Sequence, residues 1–254
     1  MSSSPSRPGG GISPHLTPTA SGSASNRSDL RKIFSLARDF ASDIQHVLNA
    51  TICNNASINA QRDITDPSVI AIGNRLTAAS LRGELVPICA RGKPTGWLKV
   101  EYLCSIDGAG KYLMVVNAFV GVYAADEART PLCHFDYERD KADGYPEAHV
   151  QVYGESTALA TWGDRFADRG LHRLHLPAGP RRFRWILEDV IEFLVSEGLA
   201  VPHDDTWRDA LKPGRKKFMQ SQLRAAIRND TETAVLYLSE CDYSIHPPET
   251  VRRR

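Results

Sequence analysis

The sequence has little of what defines several broad classes of protein. It contains no run of about 18 consecutive apolar residues, the length that a membrane-spanning helix needs, so we expect no membrane association. Its basic residues outnumber its acidic residues by only one, so no overall field attracts the chain to nucleic acid or to an anionic surface. Any attraction to a polyanion must therefore come from local patches of charge.

Cysteine is also scarce. The chain has 5 cysteines, with no CxxC pair and no zinc-finger spacing, which excludes a disulfide framework and a zinc framework. Free cysteines among apolar neighbours behave as small hydrophobic residues. This usage is typical of a reducing compartment, so we expect a cytoplasmic protein.

What remains has the composition of an ordinary globular protein. Of the 254 residues, 42% are hydrophobic and 24% are charged. Residues 1–27 differ, because 18 of them are Ser, Pro, Gly or Thr and none is acidic. Such a segment cannot bury enough apolar surface to offset the ordering of its backbone. We therefore predict a disordered tail over 1–27.

Two helices are predicted in an N-terminal helical segment that spans residues 28–85. After Ser28, a suitable N-cap, apolar residues recur at three- and four-residue steps and predict a helix over 29–50. Further along, an Asp-Pro pair is typical of a helix start, and the apolar spacing after it predicts a second helix over 67–82.

From Trp97 the hydrophobic period changes from 3.6 to 2, which indicates strands. Alternation predicts strands at 97–106, 111–123, 131–138 and 147–153, and a fifth at 171–177. A Gly-rich turn joins the first two of them, which makes this hairpin the clearest β signal in the chain. We predict an antiparallel meander of four or five strands.

The helical period returns after the Gly-Pro pair that follows the strands. It predicts helices over 183–197, 204–211, 215–229 and 231–240. The first of these helices is predicted to pack on the sheet through Phe183, Ile186 and Val190 and to form one unit with it over 97–200. Residues 201–254 then form a C-terminal helical segment. The order helices, strands, helices predicts an α+β fold with the helices on one face of the sheet.

Alternation also sorts the two faces of the predicted strands 131–138 and 147–153. The register that keeps their apolar residues on one face places Asp136 opposite His149 and His134 opposite Gln151. Directly opposed side chains have Cβ atoms about 5 Å apart, within reach of a carboxylate-to-imidazole hydrogen bond. The sequence therefore predicts an Asp136–His149 pair.

Such a pair suits acid-base chemistry near neutral pH. Asp136 holds the tautomer of His149 and raises its basicity, so that His149 acts as general base and His134 as its conjugate acid. With a cation such as Lys99 on the same sheet, this set predicts metal-independent RNA cleavage, without a metal ion or another cofactor. The alternative interpretation is an ordinary solvent-exposed polar face.

The His172-x-x-His175 pair resembles half of a zinc motif. In the predicted strand the two imidazoles face opposite sides of the sheet, and only a helix brings such a pair together. We therefore predict no metal site there.

Two basic clusters are candidates for binding nucleic acid. The first comprises Arg181, Arg182 and Arg184 at a helix start, where positive charge is unfavourable unless acidic residues compensate it or an anion binds there. The second lies on the predicted helix 215–229, which has no acidic residue, and begins with Arg215, Lys216 and Lys217. A solvated helix face is the alternative interpretation of the second cluster.

Parts of the chain resemble known proteins. The segments PLCHFDYERDKADGYPEAHVQVYGES, LHLPAGPRRFRWILEDVIEFLV and QLRAAIRND, within residues 97–240, are similar to a group of uncharacterised actinobacterial proteins. The strand FDYER and the later PEAHVQV also resemble the TumE-type toxins, small β-rich proteins encoded beside an antitoxin. In that resemblance, Asp136, Pro146 and His149 match the toxin pattern.

Two functions are therefore predicted. The first is a toxin-type or mobile-element-type protein that acts on nucleic acid and cleaves RNA at the His/Asp site. The second is a non-catalytic regulatory protein that binds another protein. The partner is accordingly nucleic acid or protein, and the oligomeric state stays open.

The composition of the tail makes a testable prediction. Deletion of residues 1–27 should leave the midpoint of thermal unfolding within about 2 °C of the full chain, since the segment has little to bury. Scanning calorimetry on both proteins measures this. A drop of more than about 5 °C contradicts the prediction.

Overall fold

The computed structural model describes residues 27–89, 92–107 and 112–246. Within them lie four α-helices: α1 Arg27–Thr51, α2 Leu187–Ser196, α3 Trp207–Asn229 and α4 Thr231–Glu240. None of these helices is long and apolar enough to cross a membrane. The predicted tail, up to residue 26, and the Gly-rich turn after Asp107 lie outside the described residues.

Eight antiparallel strands form one sheet among these residues. They are β1 Ile58–Arg62, β2 Ile70–Asn74, β3 Val86–Ile88, β4 Gly96–Ile106, β5 Leu113–Tyr123, β6 Cys133–Glu138, β7 Ala148–Val152 and β8 Leu176–Pro177. The order in the sheet is β1-β2-β4-β5-β6-β7-β8, and β3 pairs with β4. The predicted α+β class is confirmed, and the sheet has more strands than the four or five that were predicted.

Helices α1 and α2 pack on one face of the sheet, and α3 packs against these two helices. The buried residues of α1 recur at three- and four-residue steps along the helix, from Ile33 to Leu48. On β4 every second residue faces these helices, and Leu98, Val100 and Tyr102 are the buried residues on that side. The helical stripe and the strand alternation thus bury one shared apolar core.

The predicted helix 67–82 is wrong. Its first residues form a turn in which Asp66 accepts hydrogen bonds from Ser68, and the chain then enters β2. Every residue of β2 is buried, so both faces of the strand are covered. Its two edges pair with β1 and β4. A fully buried strand has an apolar run without alternation, and such a run is easily mistaken for a helix.

Three further element predictions need correction. Phe183 is exposed and Ile186 half-buried, because α2 begins only at Leu187 and its buried face comprises Leu187, Val190, Ile191 and Leu194. The predicted helices 204–211 and 215–229 are one continuous helix, α3, which contains Pro213. The residues 171–177 contain a 3-10 turn at Leu171–Arg173 and only the two residues of β8.

The packing of α2 makes a testable prediction. Leu194 is fully buried, so Leu194→Ala should reduce the free energy of unfolding by about 2–5 kcal/mol through lost burial and a cavity. The exposed Leu199, five residues later, is the matched control, and Leu199→Ala should change it by less than about 1 kcal/mol. Urea denaturation measures both, and equal effects would contradict this packing.

Candidate functional site

The sheet face opposite the helices carries the candidate site. Strand β6 pairs with β7 so that Asp136 lies opposite His149 and His134 lies opposite Gln151, as predicted. The apolar partners of this register, such as Phe135 opposite Val150, point to the helical face. Since side chains alternate along a strand, burying the apolar set on one face places the polar set on the other.

Asp136 and His149 approach each other within this register. The Oδ2 atom of Asp136 lies 3.7 Å from Nε2 of His149, slightly longer than a direct hydrogen bond. The other ring nitrogen, Nδ1, lies 3.1 Å from the carbonyl oxygen of Pro146. Because a carbonyl oxygen can only accept, Nδ1 of neutral His149 carries the proton and Nε2 presents a lone pair towards Asp136.

His134 completes a cluster with this pair. One potential ligand atom from each of His134, Asp136 and His149 lies within 4.8 Å of the other two. The imidazole of His134 packs against the rings of Phe119 and Tyr153, with ring centroids 5.1 and 5.7 Å away. Its Nδ1 atom is buried and has no hydrogen-bond partner among the described residues, which is unfavourable for a polar atom unless something else binds it.

The expectation that this face is solvated is wrong for its histidines. His149 is only 2% exposed and His134 only 5%, whereas the Asp136 side chain retains 24% of its exposure. The segment after β7 folds back over the strands, and Gln151 donates to the carbonyl oxygen of His172 at 2.7 Å. The cover thus comes from a distant segment that no alternation pattern records.

Burial changes the protonation of the site. Loss of solvation, together with the smaller effect of the neighbouring His149, lowers the pKa of His134 to about 4. Loss of solvation also lowers the pKa of His149 and raises the pKa of the Asp136 carboxyl to about 6, although nearby Lys141 acts in the opposite direction. At neutral pH the site therefore holds two neutral imidazoles and a carboxylate that gains a proton readily.

His175 is a member of the site that sequence reasoning missed. Its ring lies 4.8 Å from that of His149, centroid to centroid, and stacks on Tyr145 at 4.0 Å. Its Nε2 atom lies 3.0 Å from the amide nitrogen of Gln151. The His172-x-x-His175 pair was the available signal. The strand predicted over 171–177 places the two imidazoles on opposite faces of the sheet, whereas His172 lies in a 3-10 turn.

Lys99 does not supply a cation to this cluster. It lies in the same row of the sheet as His134, with only Gly121 of β5 between them. The strands that carry the two side chains, β4 and β6, are therefore about 10 Å apart. The rings of Phe119 and Tyr123 fill the space beside Gly121 and separate the two side chains. Lys99 is instead paired with Glu101 at 3.4 Å.

The first basic cluster is largely engaged within the protein. Arg181 forms ion pairs with Glu147 and with Asp140, which compensate its charge. The predicted location at a helix start is wrong, because Arg181 lies in a 3-10 turn ahead of α2. Arg184 is largely enclosed, with its guanidinium 4.3 Å from the ring centroid of Tyr137, and Arg182 is half-buried. The cluster does not form one open basic surface.

The second basic cluster is also partly engaged within the protein. Arg215 pairs with Asp189 and Glu192 of α2, and Lys217 pairs with Asp43 of α1. Lys216 is exposed. The binding of nucleic acid by these residues stays a prediction, with two of the three cations already paired.

Comparison with known proteins assigns neither a family nor a function to the chain. No family model, no curated protein and no solved structure matches the chain. The fold and the site thus define the class of protein by themselves: an α+β protein with one eight-stranded antiparallel sheet among the described residues, and a buried two-histidine, one-carboxylate cluster on the face opposite its helices. The resemblances to actinobacterial proteins and to TumE-type toxins stay predictions.

The lowered histidine pKa values predict how stability depends on pH. In the metal-free protein, His134 binds a proton in the unfolded state from about pH 6.5 downwards but in the folded state only near pH 4. The unfolded state therefore binds more protons in this window, and His134 should lower the free energy of unfolding by about 3 kcal/mol as the pH falls through it. Asp136 has the opposite effect on stability, because its folded-state pKa of about 6 lies above the ordinary aspartate value of 3.8.

Urea denaturation in the presence of a chelator, across that pH window, tests the balance. Asp136→Asn should steepen the loss of stability towards acid, and His134→Gln should flatten it. His46→Gln, a change at an exposed helical histidine, serves as the control and should keep the slope of the wild-type protein. Equal slopes in all four proteins would contradict the buried, neutral state of His134.

Proposed function

We propose that the protein is a metal-dependent enzyme that binds one divalent transition-metal ion through His134, Asp136 and His149. The observation that carries this proposal is the convergence of three ligand atoms within 4.8 Å. One of them comes from His134, whose buried Nδ1 has no hydrogen-bond partner in the part of the chain that the structure describes. Two imidazoles and a carboxylate are ligands that Zn²⁺ and Fe²⁺ accept. The proposal departs from the expectation of a metal-independent site.

The surroundings of His149 support a ligand role. A histidine that binds a metal usually donates its second ring N–H to a carbonyl or carboxylate, which fixes the ring and leaves the other nitrogen for the ion. His149 makes this arrangement, with Nδ1 3.1 Å from the carbonyl oxygen of Pro146 and Nε2 facing Asp136. The ring is therefore held in the tautomer that a metal ligand needs.

The electrostatics of the site agree with this role. Neutral imidazoles bind metal ions, and the burial that lowers the pKa values of His134 and His149 favours the neutral form of both rings. The same burial destabilises the carboxylate of Asp136, and a divalent cation beside it offsets that penalty. One buried cation thus stabilises all three groups in the protonation state that it requires.

The number of ligands favours a catalytic site over a structural one. Structural zinc sites use four protein ligands, whereas catalytic sites use three and keep a position for water or substrate. Among the described residues the cluster has three members, and Asp136 is the partly exposed one. A bound ion supplies Lewis acidity and a water of lowered pKa, while Asp136 lies on the side open to solvent.

Metal-independent RNA cleavage by His149, Asp136 and His134 is the second candidate function. The specific observation in its favour is the Asp136 carboxyl, whose pKa of about 6 suits proton transfer near neutral pH, beside Nε2 of His149. Two features weigh against it: His134, with a pKa of about 4, is a poor general acid at neutral pH, and its ring is 5% exposed.

Metal titration of the chelator-treated full chain tests the first proposal. We expect calorimetry with Zn²⁺ to show one site per chain, and Co²⁺ to bind there with a visible absorption band. His134→Gln, Asp136→Asn and His149→Gln should each weaken binding at least about 100-fold, since each removes a ligand. His172→Gln is the matched control, a nearby histidine outside the cluster, and should keep the affinity within about threefold.

Two results would overturn the metal proposal. The first is the absence of stoichiometric binding, and the second is binding that the three ligand variants leave intact. An RNA-cleavage assay with and without chelator then separates the two candidates. Cleavage that survives the chelator and disappears in Asp136→Asn would support the metal-independent mechanism, and growth arrest on expression would support the toxin class.

A further inference from the structure

Helix α4 carries large apolar side chains on all of its sides. Among the residues of α4 none is buried, and Leu236 and Tyr237 are 58% and 64% exposed. Val235 and Leu238 are also exposed, so four consecutive apolar residues, which together encircle a helix, lie open. A helix that is apolar all round is normally buried, which indicates that something covers α4.

The second half of α3 presents a matching apolar stripe. Met219, Leu223 and Ile227 follow one another at four-residue steps, so they share one side of the helix, and all three are exposed. The stripe is about 12 Å long, and the ten residues of α4 extend about 15 Å. The two apolar surfaces are therefore of similar length.

The second half of α3 and the segment that contains α4 carry opposite charges. Residues 216–229 contain four basic side chains and no acidic one, namely Lys216, Lys217, Arg224 and Arg228. Residues 230–242 contain four acidic side chains and no basic one, namely Asp230, Glu232, Glu240 and Asp242. Lys217 is paired with Asp43, whereas no ion pair within the described part of the chain involves Arg224, Glu232 or Glu240. The two segments are therefore complementary in charge, although Arg228 also lies over the ring of Tyr112.

One chain does not bring these surfaces together. Helices α3 and α4 are consecutive and joined at Asp230, whose side chain caps α4 through the amide of Thr233. Had α4 folded back along α3, the stripe from Met219 to Ile227 and the apolar residues of α4 would cover each other. Both remain exposed, so nothing within the described part of the chain covers either surface.

We propose that two copies of this chain associate through these helices, with α4 of each copy lying along the Met219–Ile227 stripe of the other. A two-fold axis then makes each contact twice, because each copy offers both a basic α3 and an acidic α4. The four helices bury the two apolar stripes and α4, and the charges of 216–229 face those of 230–242. This inference goes beyond the metal site, which lies on the opposite face of the sheet.

A charge-swap experiment tests the pairing. One variant carries Arg224→Glu and Arg228→Glu, which makes residues 218–229 of α3 acidic, and the second carries Glu232→Lys and Glu240→Lys, which makes its α4 basic. Each variant alone should dissociate at least about tenfold more readily than the wild-type dimer, because like charges then face each other. Mixing the two should restore a heterodimer, since each acidic surface meets a basic one.

Analytical ultracentrifugation of the full chain at micromolar concentrations provides the readout. We expect a wild-type dimer that weakens as salt rises, because exposed ion pairs are screened. Lys212→Glu, a change on the first half of α3 outside the stripe, is the matched control and should leave the dimer intact. Leu223→Asp should abolish it, and circular dichroism of each variant verifies that the helices form.

Three results would overturn the inference: a wild-type protein that is monomeric, a dimer that neither charge variant weakens, and two weakened variants that fail to associate when mixed. A monomer whose α4 instead binds lipid vesicles or another protein would also overturn it. The metal titration is independent of these results, because the ligand residues take no part in the dimer contacts.

Discussion

The antiparallel pairing of β6 with β7 is the constraint on which the candidate site depends. Burial of Phe135, Tyr137 and their apolar partners against the helices fixes the register, because a shift by one residue would turn that set towards the other face. The same register places Asp136 opposite His149, and His134 two residues before Asp136 on the same face. The apolar core thus positions the polar cluster through the register of the two strands.

Burial then decides what this cluster can do. On an open sheet face, two histidines and an aspartate would be hydrated, and acid-base chemistry at neutral pH would be their natural use. The segment after β7 covers them, which lowers the pKa of His134 to about 4 and raises that of Asp136 to about 6. Neutral imidazoles around a carboxylate, without a hydrogen-bond partner for one ring nitrogen, favour a bound cation.

Much of the fold follows from short-range patterns. The 3.6-residue period of α1 and the alternation along β4 and β5 predict both elements, because each period records which side of an element is buried. The pattern fails for β2, which is buried on both faces between β1 and β4. There the apolar run reflects the neighbours of the strand rather than the geometry of the chain itself.

The sequence by itself determined the α+β class, the β6–β7 register and the pairing of Asp136 with His149. These properties depend on periodicity within elements and between strands that follow each other closely. Only the tertiary structure decided that His134 and His149 are buried, that His175 joins them, and that Arg215 is neutralised by α2. Each of these depends on which distant segments meet, and local spacing carries no record of such contacts.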